Sequence, residues 1–247
     1  MNQADDHFSP IAKEYARGRL GYPLELYRTL AAQCPARDLA WDCGCGSGQV
    51  ASDLPDFFTQ VIATDISEPL LALAPPDARV VYRAAPAESS GLPAASVDLI
   101  TVAQAVHWFD LDGFWREVLR VLKPGGVLAI WGYTWPDVNG ATNRVLGVLK
   151  QEIAPFWPAR SALLQSNYET LNPPLQELTL PAFELSAAWS LEDYLDHLRS
   201  WSAVRYYKEH QRRDIVEALL PEFRSAWPTA TVNVRWPLVL RVFRKET

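Results

Sequence analysis

The stretch from Leu39 to Gly48, L-A-W-D-C-G-C-G-S-G, constrains this 247-residue chain more than any other. An apolar run, Leu39-Ala40-Trp41, stops at Asp42, and glycines then alternate with small residues at Gly44, Gly46 and Gly48. The pattern reads as a buried strand ending in a turn too tight for side chains, followed by a segment, Gln49 to Leu54, that can start a helix. Glycine reaches positive φ without steric cost and lets a ligand approach the backbone. The corner is expected to hold something polar and nucleotide-sized. A glycine turn that merely joins strand to helix would look the same, so the surrounding residues have to decide.

The spacing and the charges narrow the ligand. In the dinucleotide fingerprint G-x-G-x-x-G, a helix N-terminus faces a pyrophosphate. Here the third glycine comes one residue early, and the position that would complete the pattern is Gln49. Asp42 at the strand end would repel a pyrophosphate but could take a cationic ammonium group. A second strand, Val61-Ile62-Ala63-Thr64, ends in Asp65. An acid about 20 residues past the glycine turn is where a ribose diol is gripped. Ile66 would then lie against an adenine face, and Ser67 can cap the next helix.

The D-x-G-x-G-x-G run from Asp42 to Gly48 resembles the first motif of the class I S-adenosylmethionine (SAM) methyltransferases. Upstream, residues 8 to 33 read as two helices joined at Gly18 to Pro23, the second opening at Tyr22-Pro23. The pattern Tyr15, Arg19, Tyr22, Pro23 resembles the lead-in of small-molecule enzymes similar to trans-aconitate methyltransferase, with Leu20 where that subgroup has proline. The resemblance implies that Tyr15 and Arg19 sit over the methionine tail, where an arginine can clamp a carboxylate bidentately. After a third strand at Val80-Val81-Tyr82, it implies that Ala87 and Glu88 border the adenine edge; a solvated loop acid at Glu88 stands beside that reading.

A fourth strand, Val97 to Val102, leads to Gln104, Ala105, Val106, His107 and Trp108. Ligands of open α/β sheets sit outside the carboxyl ends of the strands, so His107 and Trp108 should look into the active-site mouth, with Gln104 on the cofactor side. Enzymes that methylate exocyclic amines often carry Asn/Asp-Pro-Pro-aromatic here; this chain has Gln104 to His107 instead. The arrangement resembles small-molecule enzymes. His107 is the candidate base, or an orienting group, and a purely structural histidine is the alternative; the other three, His7, His197 and His210, fall in the N-terminal tail or on expected polar helix faces. Asp110 to Leu122 reads as an amphipathic helix, and Lys123-Pro124-Gly125-Gly126 turns the chain into a fifth strand, Val127 to Trp131. The resemblance is continuous over about residues 8 to 132.

The chain is 49% hydrophobic and 21% charged, with a net charge of -6. A polyanion such as nucleic acid would be repelled on average, so a small-molecule acceptor is expected and nucleic acid is not. Three cysteines, Cys34, Cys43 and Cys45, do not make a disulfide framework, and C-x-C without a second ligand pair is no zinc site. No metal is expected. Neither a membrane span nor a secretory leader is visible, and reduced thiols fit a cytoplasmic protein. Seven of the ten tryptophans lie from Trp131 onward, as an aromatic core or a pocket lining would require.

Beyond Tyr133 the strand-helix alternation breaks. Residues 137 to 172 and 190 to 225 read as helices, with a sixth strand at Glu177 to Leu185 between them. Thr231 to Arg244 is a β-rich tail, and Pro237 predicts an edge position or a bulge there. Trp201, Arg205 and Tyr206 resemble a substrate-side segment of the same subgroup, in which Arg205 would pair with an anionic acceptor. The expected whole is one Rossmann-like α/β domain with a seven-stranded, mostly parallel sheet and an antiparallel last strand between the fifth and sixth. It divides into a cofactor-binding core at 8–135, a helical lid at 137–225 and a completing strand at 230–245. SAM-dependent methyl transfer is the expected activity. Its rivals are a SAM-binding regulator without turnover and a nicotinamide oxidoreductase, the latter disfavoured by Gln49.

Overall fold

The computed structural model describes residues 21–246. Tyr15, Arg19 and the first expected helix lie outside the described residues. The chain divides into two compact units: residues up to Tyr133 with Tyr168–Phe183 and Leu238 onward, and Thr134–Asn167 with Glu184–Pro237.

In the first unit, four parallel strands follow the sequence expectation: β1 (Leu39–Cys43), β2 (Gln60–Asp65), β3 (Val80–Ala84) and β4 (Val97–Ala103). β5 (Leu122–Tyr133) runs parallel to β4. β6 (Gln176–Leu178) and the second half of β8 (Val232–Arg244) complete the sheet in the order β3-β2-β1-β4-β5-β8-β6, with β8 antiparallel to both neighbours. The last strand thus enters where expected, between the fifth and sixth. Every residue of β4 is buried, as a strand covered on both faces must be. Helix α1 (Leu24–Gln33), preceded by Pro23, buries Leu26, Tyr27, Leu30 and Ala31, the larger of which contribute about 1.5–3 kcal/mol each. The single short turn of α2 (Glu68–Leu71) follows β2, and α3 (Leu111–Val121) buries Phe114, Val118 and Val121. Trp41 and Phe114 meet edge to face, and the Trp41 indole N–H donates to Thr64 Oγ1 at 2.9 Å.

A buried ion pair ties the strand starts together. Asp98, fully buried at the entry to β4, accepts the Asp38 and Leu39 N–H groups at 3.0 and 3.1 Å and meets Lys123 Nζ at 2.9 Å. The two backbone donors on Oδ2 and the Lys123 charge are what make a carboxylate tolerable there.

The second unit pairs β7 (Glu184–Trp189) antiparallel with β8 as far as Pro237. Its helices are α4 (Gly140–Ile153), α5 (Ala162–Gln165), α6 (Leu191–Arg199), α7 (Ser202–Gln211), α8 (Ile215–Ala218) and α9 (Leu220–Ala226). Asn139, Ser190 and Asp214 cap α4, α6 and α8 with side-chain oxygens, Ser190 in a reciprocal capping box with Asp193. Its tryptophans pack on one another: Trp189 on Trp236 at 4.6 Å, Trp135 on Trp201 at 5.2 Å and on Trp157 at 5.8 Å.

Several expectations are corrected. The sheet has eight strands, because the single sixth strand expected over Glu177 to Leu185 splits around Pro181 into β6 and β7. The two long helical blocks are broken, the first after Ile153 at Pro155 and Pro158, the second at Ser200-Trp201 and again at Arg212, which takes a left-handed φ of +50°. Gln49 to Leu54 forms turns and a 3-10 turn at Leu54–Asp56 instead of an α-helix. β5 begins at Leu122, so the Lys123-Pro124-Gly125-Gly126 segment is an irregular part of the strand, with a register shift opposite Val97 to Leu99. Pro237 is the last residue of β8 paired with β7, and Leu238 the first paired with β5. A residue without an N–H is tolerated where a ladder changes partner. Among the described residues, no helix is long and apolar enough to cross a membrane.

Candidate active site

The strand order reverses between β1 and β4, since β1 to β3 step one way across the sheet and β4 to β5 the other. That is the switch point at which open α/β sheets bind ligands, and two loops meet there. One is the glycine corner after β1. The other is the 3-10 turn Val106–Trp108 after β4. Their closeness is measured by Gly44, where an added Cβ would stand 2.6 Å from Ala105 Cβ and 3.1 Å from Phe109.

Gly44, Gly46 and Gly48 all take positive φ, +71°, +54° and +81°, which explains the residue type at each. An added Cβ at Gly48 would strike the Tyr82 hydroxyl at 2.7 Å, whereas one at Gly46 would meet nothing within 4 Å. Gly46 alone of the three therefore borders open space. The corner's amides are largely spent inside the protein. Gly44 and Cys45 donate to Thr64 O at 2.8 and 3.0 Å, Gly48 to Cys45 O at 2.9 Å, and Gly46 to Asp65 Oδ2 at 2.8 Å. A phosphate cradle needs such N–H groups free. This corner is shaped for a ligand without phosphates.

Carboxylates dominate instead. Asp42 is buried at the end of β1, opposite Thr101 in the β1–β4 register, and Thr101 Oγ1 donates to its Oδ1 at 2.8 Å. Asp65 is half-buried at the end of β2; beyond the Gly46 bond, its Oδ1 accepts the Ser67 N–H at 2.8 Å. Ile66 next to it is 46% exposed, an uncommon position for a large aliphatic side chain in a loop over a polar site. Ser67 stands at the N-cap of α2, but its side chain makes no capping bond.

The remaining first-unit candidates fall around this corner. Ala87 is buried, and Glu88 Oε1 accepts the N–H of Asp110, the N-cap of α3, at 2.8 Å. Glu88 thus has a structural task at a helix start, where a negative charge is favoured. Gln104 holds a left-handed φ of +57°, its N–H donating to Trp131 O at 2.9 Å and its amide to Tyr133 O at 3.0 Å. A strained non-glycine residue at a strand end is a frequent mark of a functional site. His107 and Trp108 are half-buried with ring centroids 5.2 Å apart. Cys43 and Cys45 are buried, and burial pushes both thiols well up, so neither is a nucleophile. Among the described residues, no cluster of metal-ligating side chains occurs.

Trp201, Arg205 and Tyr206 belong to the second unit. Trp201 packs against Trp135 and His197, Arg205 is exposed, and Tyr206 lines an open depression of about 430 Å³ with Phe156 and Trp157. The sequence puts His197 on a polar helix face, but the structure sets it among Trp189, Trp201 and Trp236, with Nε2 buried and burial pulling its pKa down to about 4. Two further residues escaped the sequence reading. Thr101 is visible as the partner of Asp42 only once the strand register is known. Lys150, with Nζ 4.4 Å from the Trp135 ring centre, looks like any helix lysine in the sequence.

Comparison with known proteins agrees with this geometry. A family model described as a methyltransferase domain matches residues 41–130. A candidate methyltransferase of Dictyostelium discoideum is 30% identical over 98% of this chain and 96% of its own length. The malonyl-[acyl-carrier protein] O-methyltransferase of Enterobacter lignolyticus is 31% identical over 81% of this chain and 79% of its own. Among solved structures, a candidate type II methyltransferase from Anaeromyxobacter dehalogenans superposes with a TM-score of 0.88 at 39% identity, covering 93% of this chain and 99% of that one. A sheet with a carboxylate-tipped switch point and an antiparallel strand beside β5 defines a Rossmann-like methyltransferase. The chain belongs to the class I SAM-dependent methyltransferases, and its cofactor is S-adenosylmethionine. These matches do not single out the trans-aconitate subgroup.

The residues present fit that cofactor. It carries a cationic sulfonium and ammonium, a ribose diol and an adenine, and no phosphate. The corner offers two carboxylates, an exposed aliphatic side chain and a glycine facing open space, with its amides already engaged.

Proposed function

We propose that this enzyme transfers a methyl group to an oxygen of a small-molecule acceptor, a carboxylate or a hydroxyl. The observation carrying the cofactor half of this reading is the pair of acids at the ends of β1 and β2, with the corner's N–H groups consumed between them. Asp65 at the end of β2 takes the ribose hydroxyls, Ile66 covers one adenine face, and Ala87 with Glu88 borders its edge. Asp42 and Gln104 line the side of the amino-acid tail, with Tyr15 and Arg19 assigned there by resemblance. When bound, the cofactor supplies a methyl group on a sulfonium, which leaves by in-line displacement.

What remains for the protein is to position the acceptor oxygen, keep water out, and handle one proton. A carboxylate acceptor is anionic at neutral pH and needs no base. A hydroxyl does, and His107 in the turn after β4 is the base we assign. Trp201, Arg205 and Tyr206 are assigned to acceptor recognition by resemblance alone. The relative whose name specifies O-methylation of a malonyl group favours an oxygen acceptor. The acidic net charge and the lack of an Asn/Asp-Pro-Pro-aromatic tetrad after β4 speak against nucleic-acid amines, and the buried free thiols suit a cytoplasmic enzyme.

The test is incubation with radiolabelled SAM and a panel of carboxylic acids, phenols and amines. Label in acids or phenols is expected. Label confined to amines would refute the oxygen reading, and S-adenosylhomocysteine binding without label in any acceptor would favour a regulator without turnover. His107→Ala should slow labelling of phenols about 10²-fold or more while leaving carboxylates nearly unchanged; equal rates on both would remove the base.

A further inference from the structure

We infer that the second unit holds a carboxylate-binding site built from Lys150, Trp135 and Trp157, and that its ligand is an aromatic carboxylic acid. The inference deepens the acceptor reading above, resting on it only where the ligand is called the acceptor. Lys150 is half-buried on α4, with its ammonium 4.4 Å from the Trp135 ring centre. It makes no ion pair among the described residues, and desolvation alone draws its pKa below the usual lysine value. The acids nearest in sequence are engaged elsewhere. Glu152 accepts the Tyr207 hydroxyl at 3.1 Å, and Asp137 serves Arg235 and Asn143.

A ring face occupies one side of the ammonium, and among the described residues its N–H donors meet no acceptor. A half-buried ammonium is partly stripped of water, and an anion would offset that cost. The second donor is Trp157, whose indole packs 5.8 Å from Trp135 and whose Nε1 is buried with no hydrogen-bond partner. A buried indole N–H normally finds one. An ammonium and an indole N–H, each belonging to a neighbour of the Trp135 ring, would supply one donor for each of the two oxygens of a carboxylate. Trp157 also lines the depression of about 430 Å³ that it shares with Phe156 and Tyr206, a volume within the range of small-molecule sites. Those aromatic walls call for a planar, apolar body attached to the acid.

The test is ligand-observed NMR of wild type, Lys150→Met, Lys150→Arg and Trp157→Phe against a library of aromatic carboxylic acids, each paired with its primary amide. Wild type should bind acids in preference to their amides by about fivefold or more. Lys150→Met should abolish that preference, Trp157→Phe reduce it, and Lys150→Arg keep most of it. Equal binding of acids and amides by wild type, or a preference that survives Lys150→Met, would overturn the site. S-adenosylhomocysteine affinity, measured by calorimetry on the same proteins, is expected to be the same in all four. Its absence from wild type would defeat the cofactor assignment and leave the acid-amide comparison to stand or fall separately.

Discussion

Asp65→Ala is the most informative single change, because the carboxylate is tied into the fold and is also the residue proposed to hold the ribose. In the protein it accepts the Gly46 and Ser67 N–H groups, both at 2.8 Å, and so fastens the glycine corner to the end of β2. A hydrogen bond to a charged acceptor is worth about 1.5–3 kcal/mol when buried. Asp65 is half-exposed, so water replaces part of what is lost, and the two bonds together should cost about 2 kcal/mol. For a chain of this size that lowers the melting temperature of the ligand-free protein by about 4–8 °C. Affinity for S-adenosylhomocysteine falls further, because the ribose contacts vanish and the corner must be re-formed before it can bind. Two lost charged hydrogen bonds correspond to about 3 kcal/mol, or a weakening of roughly 150-fold. Asp65→Asn should fall between, since an amide keeps one acceptor oxygen but turns an NH2 group toward one of the two backbone donors. Calorimetric titration alongside thermal unfolding measures both quantities. An Asp65→Ala protein that melts several degrees lower yet binds the ligand within twofold of wild type would show that the ribose is held elsewhere.

Three other outcomes are expected. Gly46→Ala should destabilise the protein by only about 1–2 kcal/mol, the cost of a left-handed residue, while cutting cofactor affinity at least tenfold; Gly44→Ala, which drives a methyl into Ala105, should lose more stability, and unfolding curves would contradict this if the order were reversed. Lys123→Met should cost about 2 kcal/mol in urea unfolding, at the low end for stranding a buried carboxylate because Asp98 keeps two backbone N–H donors; a neutral effect would show that the pair contributes nothing net. His197 has its pKa lowered from 6.5 to about 4, so between those values the unfolded chain binds a proton that the folded one refuses, and stability should fall as pH drops through that window by up to about 3 kcal/mol. His197→Phe should flatten that part of the pH profile, and an unchanged slope would point to other groups.

The first unit was legible in the sequence because its signals are local. An apolar run, an acid and alternating glycines sit within ten residues, and the four parallel strands each appear as a short apolar stretch. What the sequence could not display is register. Thr101 becomes the partner of Asp42 only through the β1–β4 pairing, and the engagement of Asp65 with Gly46 spans two strands. In the second unit, polar and apolar residues mix without a clean period, so helices broken at Pro155, Pro158 and Arg212 read as two long blocks. The position of His197 was misread for a related reason. Its helix neighbours are charged, and its burial comes from Trp189, Trp201 and Trp236, none of which lies on the same helix.

The self-satisfied backbone of the glycine corner bears on which adenosine compounds this enzyme can tell apart. ATP and NAD share with its cofactor the base and the sugar, the very parts that Asp65 and Ile66 are placed to greet. Discrimination has to happen at the tail, where a polyphosphate would forfeit its water shell and meet the Asp42 carboxylate beside a corner whose N–H groups are largely taken. On the proposed assignment, such a corner would turn away the commonest nucleotides by offering their phosphates few donors.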